Sequence, residues 1–419
     1  MNTVVGLDIG TSYIRAAIGE VSDEGKVEII GIAKKPSTGL RNGVIVNIES
    51  ACQAIKQSIE AAEQNAGYEV TSCITGIGGT QTESFNQAGS AAIASHGKGR
   101  REITSDDISR AIDMATAVYI PLDREMLHVI PREYFVDNLS YGINRPLNTI
   151  GARLKVDVHI VTASKTAVTN IRNCVSRANY RLDGVLLKTL AASNAVMHDD
   201  EMELGSILID MGAGTTDVLV LMHAAPVCSV SIPVGGNIVT NDIALVKGIP
   251  SVEAEKIKVN SGCCWLPGIE NDLQVILPGI GGRPPEETST TELCQIIQPR
   301  VEEIFSMVKS AIVTKANLSQ LKGNIILTGG GAQMPGIVEL AQNVFGTPAV
   351  RLGIPEKLGG IDEDYRRPDC ATVIGLITSN KNAVLGRDGK KKKKNLDSAR
   401  AGQKSKNENI FKKIFDMFF

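Results

Sequence analysis

The sequence is poor in aromatic residues and has no cysteine motif that would close a disulfide framework or bind a metal. Phe, Trp and Tyr make up 4 % of the 419 residues, and the eight cysteines form no Cys-x-x-Cys pair. Scattered cysteines are typical of buried free thiols in a reducing compartment. No apolar run approaches the ~20 residues that a membrane-spanning helix needs. Because a strand pattern begins at Thr3, we expect a cytosolic protein without a signal peptide.

Glycine is abundant, and charge is unevenly distributed. The 41 glycines and 43 % hydrophobic residues favour an α/β protein with tight loops, and the length predicts about two to four folding units. Residues 381–419 contain 12 Lys or Arg and 4 Asp or Glu, a net charge of +8, which leaves −10 on residues 1–380 from the total of −2. We therefore expect the C-terminal part to bind anionic partners. No nucleic-acid partner is expected.

Two distant segments, residues 4–18 and 207–221, resemble each other. In each, an apolar strand ends in Asp-x-Gly, a turn of small residues follows, and a second apolar strand returns. A hairpin that recurs in this way predicts a duplicated domain. A third glycine turn, Gly329-Gly330-Gly331, lies between a short apolar strand and a helix pattern.

These turns have the chemistry of a nucleoside triphosphate site. Phosphates bind backbone N–H groups at close approach, which glycine and other small residues allow. Magnesium prefers carboxylates and usually keeps several waters, and Asp8 and Asp210 end the two repeated strands. Arg15 can return a cation to a phosphate, and the third turn offers a flat backbone surface for the base. We predict that ATP and magnesium bind here, with magnesium held through water by Asp8 and Asp210 and with nucleotide contacts from Gly10, Thr11, Ser12, Arg15, Gly212, Ala213, Gly214, Thr215, Thr216, Gly329, Gly330 and Gly331.

Each signal taken alone has an ordinary alternative. An isolated Asp-x-Gly turn is a common hairpin, and the Gly-x-Gly at Gly212 suggests a dinucleotide-binding loop. That loop would continue as Gly-x-Gly-x-x-Gly into a helix, whereas here Asp217 takes the last glycine position and a strand follows. The sequence has no Walker A motif.

The ordered set of two hairpins and one glycine turn resembles the phosphate and adenosine motifs of the actin/Hsp70/hexokinase superfamily. This resemblance implies an α/β, actin-like fold of duplicated RNase H-like domains around a nucleotide cleft. It also implies that Glu255 and Lys258, three residues apart on one helical face, reach the ribose and base. The alternative for this pair is an ordinary solvated helix surface.

An insertion distinguishes the chain within that superfamily. The connection from Lys34 to Val46 is short, whereas residues 83–159 form an inserted unit, and this arrangement resembles the bacterial cell-division FtsA family. Further segments look like signatures of that family, namely 128–134, 281–285, 298–300 and 327–332. The resemblance implies subdomain 1A at residues 1–82 with 160–192 and 362–385, inserted subdomain 1C at 83–159, subdomain 2A at 193–228 with 302–361, subdomain 2B at 229–301, a flexible linker at 386–406 and an amphipathic membrane-targeting helix at 407–419.

The resemblance also implies a function. FtsA proteins polymerise, bind the C-terminal peptide of FtsZ, tether FtsZ filaments to the inner face of the cytoplasmic membrane at the division site, and recruit other division proteins. The implied peptide site comprises Arg283, Arg300 and Glu303, for which ordinary solvated charge is the alternative. No residue that would position an attacking water is identified, so catalytic residues stay unknown and at most slow ATP hydrolysis is expected.

Three other functions within the superfamily fit the sequence less well. A sugar or acetate kinase needs a catalytic acid or base in the cleft, and the sequence offers no obvious one. A pilus-assembly adaptor of the PilM type lacks a linked amphipathic tail. An Hsp70-type chaperone needs a peptide-binding domain after Leu385, where 34 residues remain.

The C-terminal residues have the pattern of an interfacial membrane helix. Residues 386–406 are almost free of apolar side chains and are predicted to be a linker. Residues 407–419 would form a helix of about 20 Å, too short to cross the ~30 Å hydrocarbon core, so we expect it to lie in the interface of an anionic membrane. Docking onto the protein's own core is the alternative. The predicted membrane contacts are Ile410, Phe411, Lys412, Lys413, Ile414, Phe415, Met417 and Phe418.

Overall fold

The centre of the first half is a hairpin of two buried strands. The computed structural model describes residues 2–93, 99–137, 139, 141–279, 281, 284–316 and 323–381. Strand β1 (Asn2–Ile9) pairs antiparallel with β2 (Tyr13–Val21), and nearly all residues of both are buried. Strands that are covered on both faces have nearly continuous apolar sequences. This explains why β1 and β2 do not alternate between apolar and polar residues.

The two faces of this hairpin belong to different cores. Leu7 lies in a core with Ile55, while Ala17 lies in another core with Ile377. Because successive side chains of a strand point to opposite faces, one hairpin joins both cores.

Two five-stranded sheets have the same spatial order. The first consists, in order, of β12 (Arg181–Leu187), β6 (Ser72–Ile77), β1, β2 and β3 (Val27–Pro36). The second consists of β19 (Val350–Leu352), β18 (Ile325–Thr328), β13 (Ser206–Met211), β14 (Thr216–Met222) and β15 (Ala225–Ile232). In both, the central strand pairs antiparallel with its successor and parallel with a later strand. This matching order confirms the predicted duplication.

Helices and short strands complete the described part of the chain. Helix α1 begins where the Asn47 side chain accepts a hydrogen bond from Ser50 N at 3.1 Å, and it ends at Gly67 with a φ of +62°, as capping rules lead one to expect. The helices are α1 (Ile48–Ala66), α2 (Ser105–Thr116), α3 (Lys165–Arg177), α4 (Lys188–Val196), α5 (Asp199–Leu204), α6 (Gly236–Lys247), α7 (Ser251–Ser261), α8 (Thr290–Lys315), α9 (Ile337–Phe345), α10 (Asp362–Tyr365) and α11 (371–381). The short strands are β4 (Leu40–Arg41), β5 (Val44–Ile45), β8 (Arg101–Glu102), β10 (Ile150–Gly151), β16 (Gln274–Leu277) and β17 (Glu286–Ser289).

The inserted unit has a sheet and a core of its own. Its strands lie in the order β7 (Thr82–Ala92), β11 (Arg153–Ser164) and β9 (Arg124–Val136), with α2 against one face. Gly89 permits this close approach, because a Cβ added there would lie 2.7 Å from the Ala115 Cβ. Most of its buried residues form a core of their own, and the predicted subdomain boundaries stay predictions.

A polar seam joins the inserted unit to β15 of the second half. The Ser84 hydroxyl donates to Ser229 O at 2.7 Å, and the Asn86 amide donates to Val227 O at 2.9 Å. His159 Nδ1 lies 2.7 Å from Asn86 Oδ1. Burial is the main cause that lowers the pKa of His159 to about 3, so its ring is neutral at physiological pH. The inserted unit therefore contacts the second half through hydrogen bonds.

The second half has one continuous core. Residues of β13 and β14 share it with residues of α6, α7, α8 and α9. Helix α8 runs unbroken past residue 301, so the predicted 2A–2B boundary falls inside a helix rather than in a loop. Among the described helices, none combines the length and apolar character required to cross a membrane.

Candidate nucleotide site

Two equivalent glycine turns face one cavity. Gly10 N donates to Tyr13 O at 3.1 Å, and Gly212 N donates to Thr215 O at 2.9 Å, so the two hairpins close in the same way. A Cβ at Gly10 would lie 2.6 Å from Tyr13 O and one at Gly212 would lie 2.9 Å from Thr215 O. The turns are therefore tight because both positions are glycine. The cavity between them has a volume of about 240 Å³, somewhat below the roughly 300–1,000 Å³ of typical ligand pockets.

Most of the residues predicted to contact the nucleotide line this cavity. They are Asp8, Gly10, Thr11, Ser12, Arg15, Asp210, Gly212, Ala213, Gly214, Thr215, Gly329 and Gly330. Thr216, Gly331, Glu255 and Lys258 are not part of its wall. The chain thus brings the two hairpins and the third glycine turn together, while nucleotide binding itself stays a prediction.

Carboxylates crowd the floor of the cavity. Asp8 Oδ1 lies 2.8 Å from Lys188 Nζ, and this ammonium group also donates to Ile9 O at 2.7 Å. Asp210 is largely enclosed by protein, and this burial, together with the charges of Asp217 and Asp8, raises its pKa to about 7. Lys188 opposes that shift, as does a hydrogen bond from the Thr372 hydroxyl at 3.3 Å. The carboxylates at the floor of the cavity therefore carry more negative charge than the Lys188 ammonium group offsets.

This crowding fits a divalent cation bound through water. Within the described residues, no three acidic, His or Cys side chains converge closely enough to coordinate a metal by themselves. Magnesium usually takes only one or two protein carboxylates and completes its shell with water and phosphate oxygens. Asp8 and Asp210 are therefore the residues that would hold it.

Arg15 is held in place by a buried ion pair. Its guanidinium contacts the Asp369 carboxylate, and both side chains are at least nine-tenths buried. Burial opposes the charged form of Arg15, but Asp369 and Asp8 more than offset this and its pKa is raised. The arginine lines the cavity, as the prediction requires, yet its carboxylate partner comes from a segment 354 residues away that no sequence signal linked to it.

Three further residues of the site were missed by the sequence reasoning. Gly79 N donates to Asp217 Oδ1 at 3.0 Å across the cavity, and Lys188 completes the pair with Asp8. Asp217 occupies the hairpin position that corresponds to Arg15, since it lies opposite Asp210 as Arg15 lies opposite Asp8. That correspondence was readable in the sequence. Lys188 and Gly79 carried no comparable signal.

Lys258 and Glu255 lie behind the second glycine turn. Lys258 Nζ lies 2.7 Å from a Glu255 carboxylate oxygen and donates to Gly236 O at 3.0 Å. Gly236 N in turn donates to Gly212 O at 2.9 Å. The pair therefore supports the turn, and its contact with ribose and base stays a prediction.

The residues predicted to bind the FtsZ peptide are only partly described. Arg300 pairs with both Asp242, at 2.5 Å, and Glu303. Arg283 lies outside the described residues, as do all the predicted membrane contacts between 407 and 419. The Arg300 side chain is 29 % exposed and its partners Asp242 and Glu303 are also partly exposed, as in an ordinary surface ion pair, so peptide binding by Arg300 stays a prediction.

Family models and curated proteins match this chain over most of its length. A model described as "Cell division protein FtsA" matches residues 207–375, and one described as "SHS2 domain inserted in FTSA" matches residues 79–162. The cell division protein FtsA of Borreliella burgdorferi is 42 % identical, with 90 % of each chain covered. That of Escherichia coli K12 is 34 % identical, with 93 % of each chain covered.

The chain belongs to the FtsA family. Its role is therefore in cell division, as a member of the actin-like ATPases. The insertion that distinguished it in the sequence corresponds to the SHS2 domain of FtsA proteins.

Solved structures confirm the actin-like fold of this FtsA-family chain. A PilM–PilN type IV pilus biogenesis complex matches with a TM-score of 0.64 at 14 % identity, over 91 % of this chain and 98 % of the other. MreB5 of Spiroplasma citri bound to AMPPNP matches with a TM-score of 0.54 at 15 % identity, over 94 % and 98 %. At these identities the likeness concerns the fold alone.

Proposed function

We propose that this FtsA-family chain is an ATP- and magnesium-binding, polymerising division protein that tethers FtsZ filaments to the inner face of the cytoplasmic membrane and recruits further division proteins. Two equivalent glycine turns facing one cavity, with Asp8 and Asp210 at its floor, are the observation that carries the proposal. A bound nucleotide would contact both halves at once. ATP is therefore proposed as a ligand that fixes the relative position of the halves for assembly.

The neighbouring folds support a nucleotide in this cleft. Two matched structures of Spiroplasma citri MreB5 carry ADP and AMPPNP, each with a TM-score of 0.54. Residues of both turns, among them Thr11, Ser12, Ala213 and Gly214, line this one cavity, and backbone N–H groups of such small-residue turns suit phosphate oxygens. We infer that the halves separate slightly when ATP enters, because the cavity of about 240 Å³ is smaller than typical ligand pockets.

Nucleotide binding can be tested by titration calorimetry with magnesium and ATP. Gly10→Ala places a Cβ 2.6 Å from Tyr13 O, so the turn must distort and binding should weaken at least tenfold. Gly184→Ala is the matched control, because its nearest neighbour would be 4.0 Å away. Unchanged ATP affinity in Gly10→Ala, or no binding by the wild type, would refute the proposed site.

The peptide site is proposed around Arg300 on α8. Since Asp242 and Glu303 already bind this guanidinium, a carboxylate of the FtsZ C-terminal peptide must compete with them or bind beside them. Asp242→Asn should therefore strengthen peptide binding, whereas Arg300→Glu should abolish it. A pull-down with the FtsZ C-terminal peptide tests both, with exposed Arg181→Glu in the first half as the control. Equal capture of all four proteins would remove Arg300 from the site.

Membrane attachment is proposed for residues 407–419. Burial of each apolar side chain of this segment would contribute roughly 1.5–3 kcal/mol to the binding free energy, before the cost of ordering the segment. Each nearby lysine would add about 1 kcal/mol over anionic lipid. Assembly would multiply this through avidity. Deletion of residues 407–419 should release the protein from anionic vesicles in a sedimentation assay while ATP binding is retained. Continued sedimentation of the truncated protein would contradict the tether.

A further inference from the structure

A row of charges crosses the first sheet beside the cavity. Arg15 in β2 lies directly opposite Asp8 in β1 and directly opposite Lys34 in β3. Like charges at directly opposed positions destabilise a strand pair. The Arg15–Lys34 pair therefore needs an anion that offsets its repulsion.

Asp369 is a single carboxylate shared by three cations. It contacts Arg15, and its Oδ2 lies 3.5 Å from Lys34 Nζ and 3.0 Å from an Arg367 nitrogen. The Asp369 side chain is 2 % exposed, so one buried negative charge serves three positive groups. Burial and the two guanidinium groups lower the pKa of Lys34, as expected where positive charge is in excess.

These cations line a pocket next to the cavity. The pocket has a volume of about 190 Å³, and its charged residues are the three cations with Asp369 and Asp364, a net charge of +1. Among the described residues, Arg15 Nε is a buried donor without a hydrogen-bond partner. Since a single water needs only about 10–15 Å³, the pocket has room for a small ion and several waters.

We propose that this pocket, lined by Arg15, Lys34 and Arg367, binds inorganic phosphate. Guanidinium groups suit tetrahedral oxyanions because they present several N–H donors in a fixed plane. Lys34 and Arg367 are each partly exposed, so phosphate can enter from solvent. Arg15 and Asp369 line both this pocket and the nucleotide cavity, so phosphate and nucleotide would lie on either side of one ion pair. Only the statement that a nucleotide lies beside the phosphate rests on the proposed function.

The test is a calorimetric titration of inorganic phosphate into the full chain saturated with ADP. We expect saturable binding that weakens at least tenfold in Lys34→Ala and in Arg367→Ala, because both residues line the pocket and neither lines the nucleotide cavity. Lys35→Ala is the matched control. Lys35 follows Lys34 on β3 but lies opposite Ile14, and adjacent strand residues point to opposite faces. Its effect should stay within twofold.

Absence of saturable binding overturns the proposal. So does equal affinity in the wild type and in the Lys34 and Arg367 variants, since phosphate would then occupy the nucleotide cavity. ADP affinity is measured first in every variant, and its retention shows that the variant is folded. If the wild type binds no ADP, the proposed function fails, and the same titration on nucleotide-free protein still tests the pocket by the same criteria.

Discussion

Replacing Asp210 with Asn is expected to stabilise the nucleotide-free protein and to weaken its response to magnesium and ATP. Folding raises the pKa of this carboxyl from 3.8 to about 7. The native protein therefore holds the proton more tightly than the unfolded chain does. Stability contributed by the protonated carboxyl is present below pH 3.8 and is lost as the pH rises to about 7.

The size of the effect follows from this shift. At 1.36 kcal/mol per pKa unit, ionised Asp210 costs the native state up to about 4 kcal/mol at neutral pH. Between pH 5 and pH 8 this loss of folding stability grows by about 3 kcal/mol. Asn has no such charge and can still accept the hydrogen bond from Thr372, so the variant should escape most of this loss.

Urea unfolding of wild type and Asp210→Asn at pH 5 and pH 8, without nucleotide, measures the difference directly. The gain in unfolding free energy should be larger at pH 8, and groups that titrate alike in both proteins cancel. Asp113→Asn, an exposed carboxylate on α2, is the control and should change little at either pH. Magnesium with ATP should raise the stability of the wild type more than that of Asp210→Asn. An equal gain at both pH values, or a loss at pH 8, would refute the reasoning about the crowded carboxylates.

Two further predictions concern ion pairs. Lys188→Met leaves the nearly buried Asp8 without its cation and should destabilise the protein by about 3 kcal/mol, as breaking a buried pair does. Adding Asp8→Asn should recover part of this lost stability in a double-mutant cycle measured by urea unfolding. If the losses of the two single variants simply add, the pairing is contradicted. Arg351→Met removes the cation that contacts Glu201 and should lower the free energy of unfolding by about 1–3 kcal/mol. Burial raises the pKa of Glu201, but hydrogen bonds from Arg351 and other groups outweigh it and lower this pKa to about 2. The cost of the variant should therefore be smaller at pH 3 than at pH 7. Exposed Arg181→Met is the control for the second variant, and an equal cost at both pH values would count against the pair.

The sequence predicts most of this fold because its signals are local. The short apolar run Ser72–Ile77 predicts a strand, and β6 has these bounds. The hairpins follow from apolar runs on either side of small-residue turns. Deviations occur at helix starts. The sequence pattern predicts a last helix over about 369–378, but Pro368–Cys370 form a short 3₁₀ turn and α11 begins at residue 371.

The missed parts of the site depend on contacts between distant segments. Lys188 reaches Asp8 across 180 positions of sequence, and Asp369 reaches Arg15 across 354. Neither residue stands in a motif, and a lone Lys or Asp carries no information about which carboxylate or guanidinium it meets. Asp217 is different, because alignment of the two hairpins places it opposite Asp210. Attention to both strands of the repeat would have found it.

The seam of hydrogen bonds between the inserted unit and β15 has a mechanical consequence. Each of its bonds contributes only about 0.5–1.5 kcal/mol net, because water replaces the lost partner, so breaking these hydrogen bonds costs little by itself. A rotation that widens the cleft must therefore either break the seam or carry the inserted unit along. If the seam breaks, the exposed side chains of that unit, such as Tyr119 and Leu122, change position relative to the second half. If the seam holds, they move with the second half and change position relative to the first half. We therefore expect any opening of the cleft to displace the exposed surface of the inserted unit relative to one of the two halves.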